Sequence, residues 1–123
     1  IVRCAPRDVK LSEKLVYQPD ILFISNERLA ISKSEYVDGA PDLIVEILSP
    51  GTRLRDTQDK FLDYEKLGVQ EYWIMNPNDL ISSRFYILEA GKYQEFYPID
   101  QILHSKTIQG FSLNLKELHQ KLK

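Results

Sequence analysis

"PDLIVEILSP" at residues 41–50 reads as a buried strand with one glutamate, Glu46, set into its middle. A continuous apolar run bounded by turn signals belongs to a strand covered on both faces. An unpaired carboxylate there costs several kcal/mol, so Glu46 must be paired, open to a cleft, or chemically employed. A second run opened by Pro-Asp precedes it, "PDILFIS" at 19–25. If 17–25 and 42–49 pair antiparallel across the connection 26–41, a register summing to 66 is expected. That register sets Asp20 opposite Glu46, Leu22 opposite Ile44 and Ile24 opposite Asp42. Cross-strand Cβ atoms lie about 5 Å apart, near enough for two carboxylates to share one hard cation. A slip of one residue would turn Glu46 to the other face.

Within the second run Asp42, Ile44, Glu46 and Leu48 share a face. Asp42 and Glu46 are four residues apart, about 13 Å along a strand, too far to hold one ion together. Asp42 therefore reads as turn chemistry that opens the strand, with a supporting place on the site's face at most. Gln18, two residues before Asp20, falls on that face as well.

The chain has 123 residues, 43% hydrophobic and 28% charged, a balance that excludes disorder and gives one globular domain, 1–123. It begins at Ile1 and enters a strand-like segment at once, so an upstream segment is expected to be missing. No apolar run approaches the roughly 20 residues that span a bilayer, which argues against a membrane protein. The single cysteine, Cys4, excludes an internal disulfide, lacks a CxxC partner for zinc, and fits a reducing, cytoplasmic location. A net charge of −2 argues against a nonspecific nucleic-acid coat, yet leaves room for a local site.

Strand-like segments at 15–25, 42–49, 71–75, 83–90 and 92–99 are separated by turn signals at 36–41, 75–79 and 90–91. One central helix is expected from Arg55 to Leu67, stopped by Gly68, with Phe61, Leu62, Tyr64 and Leu67 on its apolar side. A short helix is expected over 113–122. The order of elements predicts a mixed α+β (α/β) domain, not a doubly wound one.

On the central helix Asp56, Lys60 and Tyr64 form one stripe at i, i+4 and i+8. An ammonium facing two carboxylates and a divalent ion can orient water or offset charge developing on phosphorus. Asp20, Glu46 and Lys60 are thus the candidate catalytic residues, Asp20 and Glu46 the candidate ligands of Mg²⁺ or Mn²⁺. Gln18, Asp42, Asp56 and Tyr64 are candidate supporting residues. Arg53 and Arg55, after "SPGT", are candidates for phosphate contact. Ser49 and Thr52 fit helix-capping positions, Tyr72 and Trp73 fit the core, and His104 and His119 carry no motif.

Four segments together resemble the Uma-two family of restriction-endonuclease-like proteins: "QPDILFIS" (18–25), "GAPDLIVEILSPGT" (39–52), "RDTQDKFLDYEKLGVQEYWIMNP" (55–77) and "GFSLNL" (110–115). The resemblance implies a mixed sheet flanked by helices, of the PD-(D/E)-x-K nuclease type, and Mg²⁺-dependent hydrolysis of DNA phosphodiesters in a homodimer. It assigns the first-strand aspartate to Asp20, the next acid to Glu46 and a relocated lysine to Lys60. The usual lysine position holds Leu48, and Asn76 stands where aspartate is frequent. Leu48, the acidic balance and the missing upstream segment leave open a noncatalytic interaction protein on the same fold, and a third reading is a metal-dependent hydrolase of small phosphorylated substrates.

Overall fold

The computed structural model of the chain describes residues 1–51 and 54–122, without the side chains of Leu54 and Arg55. In chain order the elements are β1 (Val2–Cys4), β2 (Asp8–Ser12), β3 (Leu15–Tyr17), β4 (Ile21–Phe23), β5 (Tyr36–Asp38) and β6 (Leu43–Ile47). There follow α1 (Leu54–Leu67), β7 (Glu71–Met75), β8 (Arg84–Glu89), β9 (Lys92–Phe96), β10 (Ile102–His104), β11 (Ser112–Asn114) and α2 (Leu115–Lys121). Short 3₁₀ turns occupy Asn26–Ile31 and Leu80–Ser82. The domain is mixed α+β, as its sequence predicts.

Six strands form the main sheet in the order β1-β4-β6-β7-β8-β9, all neighbours antiparallel except β6 and β7. The parallel pair is joined by α1, because parallel neighbours need a long crossover. Gly68, in the left-handed region at φ 92°, ends that helix, and the amides of Gly68 and Val69 both return to the Tyr64 carbonyl. Ala90 and Gly91, at φ 50° and 80°, form the two-residue turn between β8 and β9.

The sheet is covered on both faces. One side packs Leu22, Ile24, Ile44, Tyr72, Ile74 and Tyr93 beneath Tyr64 and Phe61 of α1. The other packs Leu43, Val45, Trp73, Met75 and Phe85 beneath Leu103 and Leu115, carried by β10 and α2. This explains why "LIVEI" and "EYWIM" lack alternation: both faces of these central strands are interior.

β4 pairs with β6 as Ile21↔Val45, Leu22↔Ile44 and Phe23↔Leu43, the register expected from the sequence. The stretch 15–25, however, is not one strand. Pro19 is buried and has no amide to donate, and the chain changes sheet there. β3 joins β2 and β5 in a separate three-stranded sheet, and β4 joins the main one. The expected helix over 113–122 also divides, into β11 and then α2, where Asn114 caps the helix by accepting from the Glu117 amide at 3.1 Å. On α1, Leu62 is exposed instead of joining the apolar side, which Phe61 and Tyr64 supply.

Glu71 is fully buried on the sheet face opposite α1. Its Oε2 accepts from Trp73 Nε1 at 2.6 Å. Its Oε1 accepts from the Lys106 and Thr107 amides and from the Ser105 and Thr107 hydroxyls, at 2.8–3.0 Å. Five donors replace the lost hydration and pin the 105–107 turn to the end of β7. Glu71→Gln keeps the shape but turns an NH₂ donor toward these donors. It is expected to destabilise the fold by about 1–3 kcal/mol in urea unfolding.

Candidate active site

The ends of β4 and β6 and the first half of α1 border a cleft of about 220 Å³. It is lined by Gln18, Asp20, Glu46, Leu48, Asp56 and Lys60, among others, with Tyr72 and Ile74 of β7 also on the wall. Asp20 follows buried Pro19 at the point where the chain changes sheet. Its Oδ2 accepts from the Ile47 amide at 2.6 Å, tying it to the end of β6 beside Glu46. The 66-sum register thus delivers the carboxylate pair to one place.

Glu46 is 7% exposed and faces α1. Lys60 Nζ lies 3.2 Å from its Oε2, and the Tyr64 hydroxyl donates to the same oxygen at 2.7 Å. One turn of helix separates the two donors, so their stripe on α1 becomes a two-point hold on one carboxylate oxygen. Lys60 also sits over the ring of Tyr17, 5.6 Å from its centroid. Tyr17 donates in turn to Asp63 Oδ2 at 2.6 Å and meets Tyr64 edge-on at 5.5 Å.

Of the residues expected at the site, Asp20, Glu46, Lys60, Gln18, Asp56 and Tyr64 are brought together. Gln18 donates to Asp8 Oδ1 at 2.7 Å from the cleft rim. Leu48 lines the cleft and packs against the core, and it supplies no cation. Asp42 is not at the site. Its carboxylate accepts from the Ser25 amide at 2.7 Å and pairs with Arg28 at 3.1 Å, bracing the connection after β4. Arg53 and Thr52 lie outside the described residues, and so does the side chain of Arg55. Tyr17 carries no sequence signal of its own. Only the folding of the small sheet against α1 gives it a place beside Lys60 and Tyr64.

Among the described residues no three His, Cys, Asp or Glu side chains gather into a metal-holding group. Asp20 and Glu46, on one cleft wall, fit a Mg²⁺-type ion, which retains waters and binds through one or two carboxylates and substrate phosphate. They do not fit a structural zinc, which takes four protein ligands.

A family model described as "Uma2: Putative restriction endonuclease" matches residues 1–116. A crystal structure described as a "putative nuclease belonging to DUF820", from Anabaena variabilis ATCC 29413, shares the fold with a TM-score of 0.76 at 20% identity. The match covers 99% of this chain and 69% of that one. No curated protein matches. Among the described residues, no helix is long and apolar enough to cross a membrane.

Tyr64 and Tyr72, behind the cleft, are held well above the usual tyrosine range, first by burial and then by the Glu46 charge. Tyr93 is raised by burial and by Glu65, and Tyr17 by burial and its Asp63 hydrogen bond. A folded-state value above the unfolded value of about 10 makes the neutral phenol's contribution complete below that pH. The contribution is then lost as pH climbs through the alkaline range. Urea-unfolding stability is therefore expected to fall from about pH 10 upward, by up to ~1.4 kcal/mol per pH unit for each of Tyr64, Tyr72 and Tyr93, and by less for Tyr17, whose charge solvent screens. Level stability from pH 9 to 11 would contradict this.

Proposed function

The chain belongs to the Uma2 family, and on that premise we propose a divalent-metal-dependent endonuclease that hydrolyses DNA phosphodiester bonds. The observation that carries this reading is the meeting of Asp20, Glu46 and Lys60 at one cleft, with Lys60 3.2 Å from Glu46. Asp20 and Glu46 would hold Mg²⁺ or Mn²⁺. The bound ion would polarise a phosphoryl oxygen and lower the pKa of water. Tyr64 and Lys60 both take Glu46 Oε2, which fixes the carboxylate that would serve as a ligand. Lys60, the cation among the described residues of this wall, orients the attacking water and offsets negative charge as it builds on the phosphate. Asp56 and Gln18 stand on the rim, where they orient solvent and the sugar-phosphate chain.

The size of the cleft supports a polymer substrate. About 220 Å³ is less than the roughly 300–1,000 Å³ of pockets that enclose a whole small molecule. A site of this kind engages one phosphodiester of a strand running past it, which favours DNA over a small phosphorylated metabolite. A homodimer, implied by the family, would present two such clefts to a duplex. The exposed thiol of Cys4 fits work in a reducing compartment such as the cytoplasm.

The test is cleavage of supercoiled plasmid DNA with Mn²⁺, alongside calorimetric titration of Mn²⁺. Asp20→Asn, Glu46→Gln and Lys60→Met are each expected to lower cleavage at least ~100-fold while the circular dichroism spectrum is kept. The two carboxylate changes should also abolish Mn²⁺ binding. Cleavage that survives in all three variants would sink the assignment. Wild-type protein that binds no Mn²⁺ would favour the noncatalytic interaction protein.

A further inference from the structure

We propose that Tyr17 is a positioning residue for Lys60: its ring face holds the ammonium against Glu46, and Asp63 anchors the ring. This inference rests on the nuclease reading of the same site. The ammonium needs more than its carboxylate partner, because a lysine side chain has four rotatable bonds and Glu46 offers one contact at 3.2 Å. A cation within about 6 Å of a ring centroid is attracted by the ring's negative face, and Lys60 Nζ lies 5.6 Å from that of Tyr17.

The ring is itself held from two sides. Its hydroxyl donates to Asp63 Oδ2 at 2.6 Å, and its edge-to-face contact with Tyr64 has centroids 5.5 Å apart. Asp63, Lys60 and Tyr64 all belong to α1, whereas Tyr17 ends β3 of the small sheet. The small sheet thus reaches across to the one helix that supplies both donors to Glu46. Lys60 then stands between a carboxylate and an aromatic face. Such a geometry restricts where the charge can sit when substrate arrives, which is how positioning lowers a barrier.

Two readouts test this, one of them independent of activity. In NMR spectra of the wild-type protein, the ε-methylene protons of Lys60 should be shifted upfield by the ring current of Tyr17. The shift should persist in Tyr17→Phe and vanish in Tyr17→Leu. In Mn²⁺-dependent plasmid cleavage, Tyr17→Leu should lower kcat about tenfold with KM within about twofold. Tyr17→Phe, which keeps the ring, should stay within about threefold of wild type. Should Tyr17→Leu fail to fold, Asp63→Ala takes its place, since it keeps both rings and removes the anchor; a smaller fall in kcat is then expected. An unshifted Lys60 methylene in the wild type overturns the clamp. A shift lost in Tyr17→Leu with kcat unchanged overturns the positioning role and leaves the nuclease reading intact. Wild-type protein without Mn²⁺-dependent cleavage overturns the nuclease reading, and this role with it.

Discussion

A carboxylate inside a strand that is covered on both faces must be met by donors, and the architecture follows from how Glu46 is met. β6 is flanked by β4 on one side and β7 on the other, and its α1-facing side is closed by the helix. At 7% exposure Glu46 keeps little of its water shell, so the helix must present donors at the right height. Lys60 and Tyr64, one turn apart, do so on a single oxygen. The same requirement fixes the height of α1 against the sheet. It also places Phe61 against Tyr86 and Tyr93, and lets Glu65 accept from the Tyr93 amide on the edge strand β9 at 2.8 Å.

Two buried glutamates in neighbouring strands make an instructive contrast. Glu71 spreads five donors over both oxygens, four of them from a single turn, and is saturated. A carboxylate satisfied in this way is a fastening. Glu46 receives its ammonium and phenol on one oxygen and borders a cleft that also holds Asp20. Burial is nearly equal in the two cases. What separates a structural acid from a candidate ligand is how the hydrogen bonds are distributed and which wall the carboxylate faces.

Much of this was legible in the residues. The apolar run around Glu46 could pair with 19–25 in few ways, and the one that puts apolar groups opposite each other is the one observed. The central helix followed from its spacing and from Gly68. The Asp56–Lys60–Tyr64 stripe also follows from helical period alone, and two of its three members meet Glu46. The break at Pro19 was less visible, because "LVYQPDILFIS" keeps strand-type composition across it. Proline forbids a ladder donor, but composition does not say that the two halves will serve different sheets. Asp42 shares a face with Glu46 by alternation. The distance along the strand and the pull of Arg28 and the Ser25 amide give it a separate task.

The sequence by itself determined the central helix, the strands within 42–49, 71–75, 83–90 and 92–99, the β4–β6 register, and the carboxylate-and-lysine composition of the candidate site. Each of these rests on local periodicity or on pairing between two nearby runs, which short-range sterics and burial decide. Only the tertiary structure decided that Tyr17 would stand over Lys60 and that Glu71 would fasten a turn more than thirty residues away. Both depend on long-range packing between separate sheets and loops. Such contacts leave no periodic trace in the chain, because each partner meets the other only once the core has closed.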